Sequence, residues 1–231
     1  MKGPSDPQVN GGIYALDRDF GALAEAVGAA MWGLAGLTPK ECAFLCIASD
    51  VCAQTLGLPF QMHVDVALAN GADRDAVKEV LIHLAPEAGY VKSLEALVRL
   101  RDVYAAFDEQ DRYRSRSAAL RAEEASIAPA SVSKAIATLD PSYGDFVAGQ
   151  MRAIWDRPGL TNKERAYLSL AVDVCEGTLG GPFRMHLDLA SASGATREQM
   201  RDVLRFLAEF GASKVWRALE EFDAWAQSSG L

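Results

Sequence analysis

The chain has 231 residues, half of them apolar, and carries 23 Lys and Arg against 31 Asp and Glu for a net charge of -8. That is apolar material for a sizeable core, while the acidic balance disfavours nucleic acid or an anionic membrane as partner, since neither surface attracts it. No run nears the roughly 18 apolar residues of a membrane span, and the opening MKGPSDPQVNGG lacks a signal peptide's apolar stretch, so a cytoplasmic protein is expected.

The first dozen residues, with two prolines and three glycines, read as a loose arm. From Asp17 to Gly33, Phe20, Leu23, Ala24, Val27 and Met31 recur at helical spacing. Residues 36–71 then read GLTPKECAFLCIASDVCAQTLGLPFQMHVDVALANG, and 159–194 read GLTNKERAYLSLAVDVCEGTLGGPFRMHLDLASASG. The shift is constant: Trp32, Thr38, Glu41, Asp50, Cys52, Pro59, Met62, His63, Asp65 and Gly71 return as Trp155, Thr161, Glu164, Asp173, Cys175, Pro182, Met185, His186, Asp188 and Gly194. A match of this length without a gap marks a duplicated domain.

Within each copy, Thr-x-Lys-Glu forms a capping box, so a second helix starts at Thr38 and at Thr161, and Glu41 and Glu164 read as caps rather than catalytic acids. These helices are apolar nearly all round, hence central, and Gly57 and Gly180 are expected to end them. A third helix follows from Pro59 and Pro182 to Gly71 and Gly194. Asp73 and Thr196 cap a fourth, whose buried side reads Val77, Val80, Leu81 and Leu84, copied as Met200, Val203, Leu204 and Leu207. The register then slips by one, with an extra residue near Pro86 in the first copy, before last helices at about Tyr90 to Phe107 and Ala212 to Gln227. No stretch alternates with a period of two, so the expected fold is all-α: repeats over 13–110 and 132–231 joined by a connector at 111–131.

Of three histidines, His63 and His186 occupy equivalent places, whereas His83 is replaced by Phe206 and reads as core bulk. Each paired histidine follows an acid, Asp50 or Asp173, set in an apolar helix. A carboxylate there is costly without a donor, and a histidine one helix away is the natural one. Asp65 and Asp188 fit less well, since residues two apart on a helix do not face each other. The expected unit is an Asp–His couple in each copy, either a buried polar staple or a proton-exchanging pair with the carboxylate fixing the tautomer. Arg184, two residues before His186, is a candidate to hold a substrate carboxylate, and its counterpart Gln61 is neutral, which makes the second copy the first choice for activity. Cys42, Cys46, Cys52 and Cys175 show no redox spacing and read as small buried side chains. One histidine per copy falls short of a metal set, and no Gly-rich phosphate loop occurs.

Trp155-Asp156-Arg157-Pro158-Gly159-Leu160, the Thr-x-Lys-Glu box, the Leu-Gly-x-Pro turn, Met185-His186, the Gly194 stop and the Arg-Glu-Gln-Met helix together resemble the carboxymuconolactone decarboxylase family. The first copy carries Trp32, Gly36-Leu37-Thr38, Met62-His63 and Gly71 of the same pattern. The resemblance implies an all-helical enzyme without a cofactor, a lyase removing carbon dioxide from a small unsaturated carboxylate or lactone. It implies proton transfer by His63 and His186, with Asp50 and Asp173 as their orienting partners, and homo-oligomeric rings in which tandem chains form trimers. The family's Tyr-x-Gly-x-Pro element is reduced to Glu87-Ala88-Gly89-Tyr90 and Phe210-Gly211-Ala212. The alkyl-hydroperoxidase D branch of the superfamily has Cys-x-x-Cys-x-x-x-His, but Leu56 and Pro59, and Leu179 and Pro182, stand at those places, which argues against its dithiol chemistry. A thiol antioxidant acting without that dithiol and a non-catalytic small-ligand-binding or assembly protein are the alternative readings.

Overall fold

The computed structural model describes residues 13–110 and 136–229, and the expected arm and connector lie outside them. Helices α1 (Arg18–Trp32), α2 (Pro39–Ala53), α3 (Leu58–Ala69), α4 (Arg74–Ala88) and α5 (Tyr90–Glu109) form the first repeat. Helices α6 (Pro141–Trp155), α7 (Asn162–Glu176), α8 (Gly181–Ala192), α9 (Arg197–Phe206), a 3₁₀ turn (Leu207–Phe210) and α10 (Ala212–Ser228) form the second. The described residues contain no strand, and none of their helices is long and apolar enough to cross a membrane.

The predicted starts hold: Asp17 and Asp140 cap α1 and α6, both Thr-x-Lys-Glu boxes close, and Asp73 and Thr196 cap α4 and α9. The stops of α2 and α7 fall earlier than Gly57 and Gly180. Gln54 and Gly177 take left-handed conformations, and the amides of Thr55 and Thr178 return to the carbonyls of Asp50 and Asp173, both at 3.0 Å. This is the Schellman closure, which satisfies the last carbonyls of a helix before the following glycines are reached. It also brings each threonine hydroxyl onto its aspartate.

The register slip has a geometric cause. Where the first repeat continues α4 through five α-helical residues, Leu84 to Ala88, the second uses four in its 3₁₀ turn, Leu207–Phe210. Four residues rising about 2.0 Å each cover nearly the length of five rising about 1.5 Å, so the last helices begin at equivalent places.

The two repeats interlock instead of standing apart. Helices α2 and α7 lie side by side in the core and run the same way, with reciprocal ion pairs at their starts: Lys40 to Glu164 at 2.5 Å and Lys163 to Glu41 at 3.1 Å. Each capping glutamate thus binds its own helix start with one oxygen and the other repeat's lysine with the second. First helices are exchanged, since α1 packs on α9 and the 3₁₀ turn while α6 packs on α4. Trp32 meets Phe206 edge-on at 5.6 Å, and Trp155 meets His83 at 5.5 Å, so the residue exchanged for Phe206 does fill an aromatic slot.

An acid of each fourth helix pins the other repeat's loop into its central helix. Asp202 accepts the Gly36 amide at 3.0 Å, and Glu79 accepts Arg157 Nε at 2.9 and 3.0 Å. A Cβ at Gly36 would sit 2.7 Å from Asp202 Oδ2. Gly36→Ala is therefore expected to lower stability by about 1–3 kcal/mol, read from the urea midpoint. Gly28→Ala, in mid-α1 with nothing within 4 Å, should raise stability by up to about 1 kcal/mol.

Candidate active site

The same local construction appears twice. On α7, Asp173 accepts from Thr178 Oγ1 at 2.5 Å through Oδ1 and faces His186 Nδ1 of α8 at 2.6 Å through Oδ2. On α2, Asp50 accepts from Thr55 Oγ1 at 2.7 Å and faces His63 Nδ1 of α3 at 2.6 Å. The expected Asp–His couples are thus formed in both repeats, with the helix-ending threonine completing each. Both aspartates are buried, and in each couple Nδ1 is occupied, which leaves Nε2 as the nitrogen that can work.

In His186 that nitrogen faces the other repeat. Nε2 of His186 lies 3.5 Å from Glu87 Oε1 near the end of α4, an ion-pair distance without a well-directed hydrogen bond. Beyond the register slip the counterpart of Glu87 is Glu209, and its charge interacts with His63. Each site therefore combines one repeat's Thr–Asp–His with the other's glutamate. Asp188 stands outside its cluster: it accepts from Trp225 Nε1 at 2.8 Å, tying α8 to α10.

Behind Glu87 a chain of hydrogen bonds crosses the repeat interface. Arg165 Nη1 stands 3.4 Å from His83 Nδ1, and His83 Nε2 is 3.1 Å from Ser169 Oγ. Ser169 Oγ in turn reaches Glu87 Oε1 at 3.5 Å. A guanidinium can only donate, so His83 accepts at Nδ1 and donates from Nε2–H, and the serine hydroxyl donates to Glu87. Burial, seconded by Arg165, lowers His83 to about 3, which keeps it neutral and fixes that tautomer. Arg165 also gives Nη2 to Glu79 at 3.2 Å and to the Arg157 carbonyl at 2.6 Å.

Charge at this site is set by neighbours against burial. Burial alone pulls His186 down, but the Glu87 carboxylate and the bond to Asp173 outweigh it and raise His186 to about 10. Glu87 shows the mirror case: burial pushes its carboxyl up, and the His186 cation beside it brings the net shift below the ordinary value. Asp173 is raised, because burial exceeds what His186 and Thr178 return. At neutral pH His186 keeps its proton beside Glu87 and Asp173, so it is poised as a proton donor.

The first repeat's site is built from other materials. Cys42, Cys46 and Phe206 replace Arg165, Ser169 and His83, so the polar relay has no counterpart there. Burial raises the Cys42 thiol to about 12 and pushes Cys46 well up too, which leaves both as packing groups. Phe210 stands edge-on to His63 at 6.5 Å. The histidines also differ in access: the side chain of His63 is 15 % exposed, that of His186 1 %.

The sequence pattern of the carboxymuconolactone decarboxylase family matches residues 19–102 and again 141–224. The chain belongs to the carboxymuconolactone decarboxylase family. Both matches span the Asp–His couples, so the family domain is present in tandem. Among solved structures, a Burkholderia xenovorans protein provisionally described as a gamma-carboxymuconolactone decarboxylase subunit superposes with a TM-score of 0.54. It is 18 % identical in sequence, over 97 % of this chain and 92 % of that one, a likeness of fold. No curated protein matches the chain.

Against this family background, Arg184 is not gathered with His186. It is 55 % exposed and pairs with Glu221 of α10 at 2.9 Å. The equivalent pair in the first repeat is Gln61 with Arg99, at 3.1 Å, so the arginine has changed helices while the tie between third and last helix persists. Glu87 is the functional residue that the motif reading missed. Its signal was the return of a glutamate at 87 and 209 once the slip is applied. Among the described residues no group of three or more His, Cys, Asp or Glu is arranged to hold a metal ion.

Proposed function

We infer that the chain is a proton-transfer lyase of the carboxymuconolactone decarboxylase type, acting on a small unsaturated carboxylate or lactone. The observation that carries this reading is the twice-built imidazole: Nδ1 is held at 2.6 Å by a buried carboxylate in each repeat, and in His186 Nε2 is presented to a glutamate of the other repeat. In the reaction, the bond between the ring carbon and the carboxylate breaks and its electron pair flows toward the lactone carbonyl. Carbon dioxide leaves, and a proton from Nε2 reaches the carbanionic carbon, so one carboxylate and one proton become one carbon–hydrogen bond and carbon dioxide. An imidazolium beside the developing oxyanion supplies both electrostatic stabilisation and that proton.

Access makes the His63 site the first to turn over, reversing the preference that Arg184 gave to the second repeat. Substrate can approach His63 directly, whereas at His186 it must part the imidazolium from Glu87. The test is turnover of a small unsaturated carboxylactone, followed by carbon dioxide release, in His63→Gln, His186→Gln and the double variant. The double variant should lose at least about 100-fold in kcat/KM, with His63→Gln alone accounting for most of it. Unchanged turnover in a folded double variant rules the mechanism out.

A further inference from the structure

The expectation that all four cysteines pack away fails for two of them. Cys52 and Cys175 are half-buried, each in the final turn of a central helix, and the side-by-side run of α2 and α7 sets them next to each other across the repeat interface, where Lys92 joins the Cys52 carbonyl at 3.1 Å to Glu176, the neighbour of Cys175, at 2.6 Å. Cys175 Sγ also donates to Ser49 Oγ of α2 at 3.6 Å. Cys42 and Cys46, by contrast, are sealed in the core.

A helix C-terminus is electrically unfavourable for a thiolate, and two ammonium groups counter it here. Lys92 Nζ caps the Cys52 carbonyl at 3.1 Å, and Lys214 Nζ, its counterpart, caps the Cys175 carbonyl at 2.8 Å. The two ends differ in the residue that follows each cysteine. Glu176 takes the Lys92 charge at 2.6 Å, while the position equivalent to Glu176 in the first repeat is Ala53. The hydrogen bond from Cys52, aided by Ser49 and Lys214, brings Cys175 down to about 7, and the same bond pushes Cys52 up.

We propose that Cys52 and Cys175 are a thiol–disulfide exchange couple, one thiol from each repeat, whose oxidant is a low-molecular-weight disulfide. The Cys175 thiolate attacks one sulfur of that disulfide and expels the other as a thiolate, leaving a mixed disulfide on Cys175. Cys52 then loses its proton to solvent and attacks the Cys175 sulfur, expelling the second small thiolate. Two protein thiols become one disulfide joining α2 to α7, and one small disulfide becomes two small thiols. Attack on the mixed disulfide needs a resolving thiol within reach, which the contact supplies. The couple stands apart from the histidine sites and from the Cys-x-x-Cys arrangement absent from this chain.

The experiment exposes the native full chain to glutathione disulfide, quenches with iodoacetamide and maps the digested peptides by mass. A Cys52–Cys175 cross-linked peptide, reversible by dithiothreitol, is expected, with Cys42 and Cys46 alkylated only after unfolding. Cys52→Ser should accumulate glutathione on Cys175, whereas in Cys175→Ser the remaining Cys52 should react at least about tenfold more slowly. Two free, alkylatable thiols after equilibration with glutathione disulfide would overturn the proposal. So would a mixed disulfide on the wild-type chain that never resolves to the cross-link. Because the readout is mass, neither result depends on lyase activity.

Discussion

Arg165→Cys is expected to destabilise the chain by about 3–5 kcal/mol, the loss that follows when one partner of a buried charge cluster is removed. Arg165 is fully buried, and burial lowers its own pKa against the pull of Glu79. Its removal leaves the Arg157 carbonyl and His83 Nδ1 without their donor and Glu79 with Arg157 as its remaining guanidinium. The substitution copies what the first repeat holds at the equivalent place, Cys42, so cysteine is not in itself foreign to this architecture. What differs is the company, for Cys42 goes with Cys46 and Phe206, whereas Arg165 goes with Ser169 and His83. The triple variant Arg165→Cys, Ser169→Cys, His83→Phe removes the three side chains of the relay together, so His83 and Ser169 are no longer orphaned while the Arg157 carbonyl still loses its donor, and replacing partners together by less polar groups costs less than orphaning some. It should recover more than half of the stability lost by the single variant, measured by urea denaturation. A triple variant no more stable than Arg165→Cys would mean that the three side chains do not act as a unit.

This non-equivalence was half visible in the sequence. The constant shift between copies exposed the caps, the central helices, and the histidines and aspartates that form couples, because these depend on residues close in the chain and on a period of 3.6. Glu87 was hidden for two reasons: it lies beyond the slip, and its partner belongs to the other repeat, so no local spacing relates it to His186. The thiol pair escaped for the same cause. Two residues beyond an aspartate on one helix, a cysteine points away from it, and nothing within one copy shows that it points instead at its own duplicate. The early stop of α2 was missed because Gln54 takes a left-handed conformation that a sequence reading assigns to glycine, here held by bonds from its side chain to the Val51 and Lys92 carbonyls, whereas α7 stops at Gly177, three residues before the glycine expected to end it. Helix exchange between repeats is likewise a matter of tertiary packing: the return of Trp32 as Trp155 marks equivalent places, not the repeat against which each packs.

The charge state of His186 predicts how stability and turnover vary with pH. Its pKa is raised in the folded chain to about 10 from an ordinary 6.5, so the folded state holds the proton more tightly than the unfolded state. The stabilisation is complete below pH 6.5, where both states are protonated, and is lost as pH rises through about 10. In between, the wild-type chain should lose up to about 1.4 kcal/mol per pH unit from this group. The cleanest measure is the difference in unfolding free energy between wild type and His186→Gln, which cancels the other titrating groups. That difference should shrink steadily from pH 7 toward pH 10, and a flat difference would show that His186 carries no proton the unfolded chain lacks. Glu87 works in the opposite sense. Its lowered pKa contributes stability above the ordinary carboxyl value that is lost as pH falls through the folded value. The two groups hold each other, so Glu87→Gln removes the largest upward influence on His186 and should move the alkaline limb to lower pH. In His63→Gln, where remaining turnover belongs to the second site, proton donation by His186 should likewise persist past pH 7 and fail only toward pH 10. The same turnover in the background of Glu87→Gln should fail earlier, because an imidazolium that has lost its counter-charge gives up its proton sooner and no longer has one to donate.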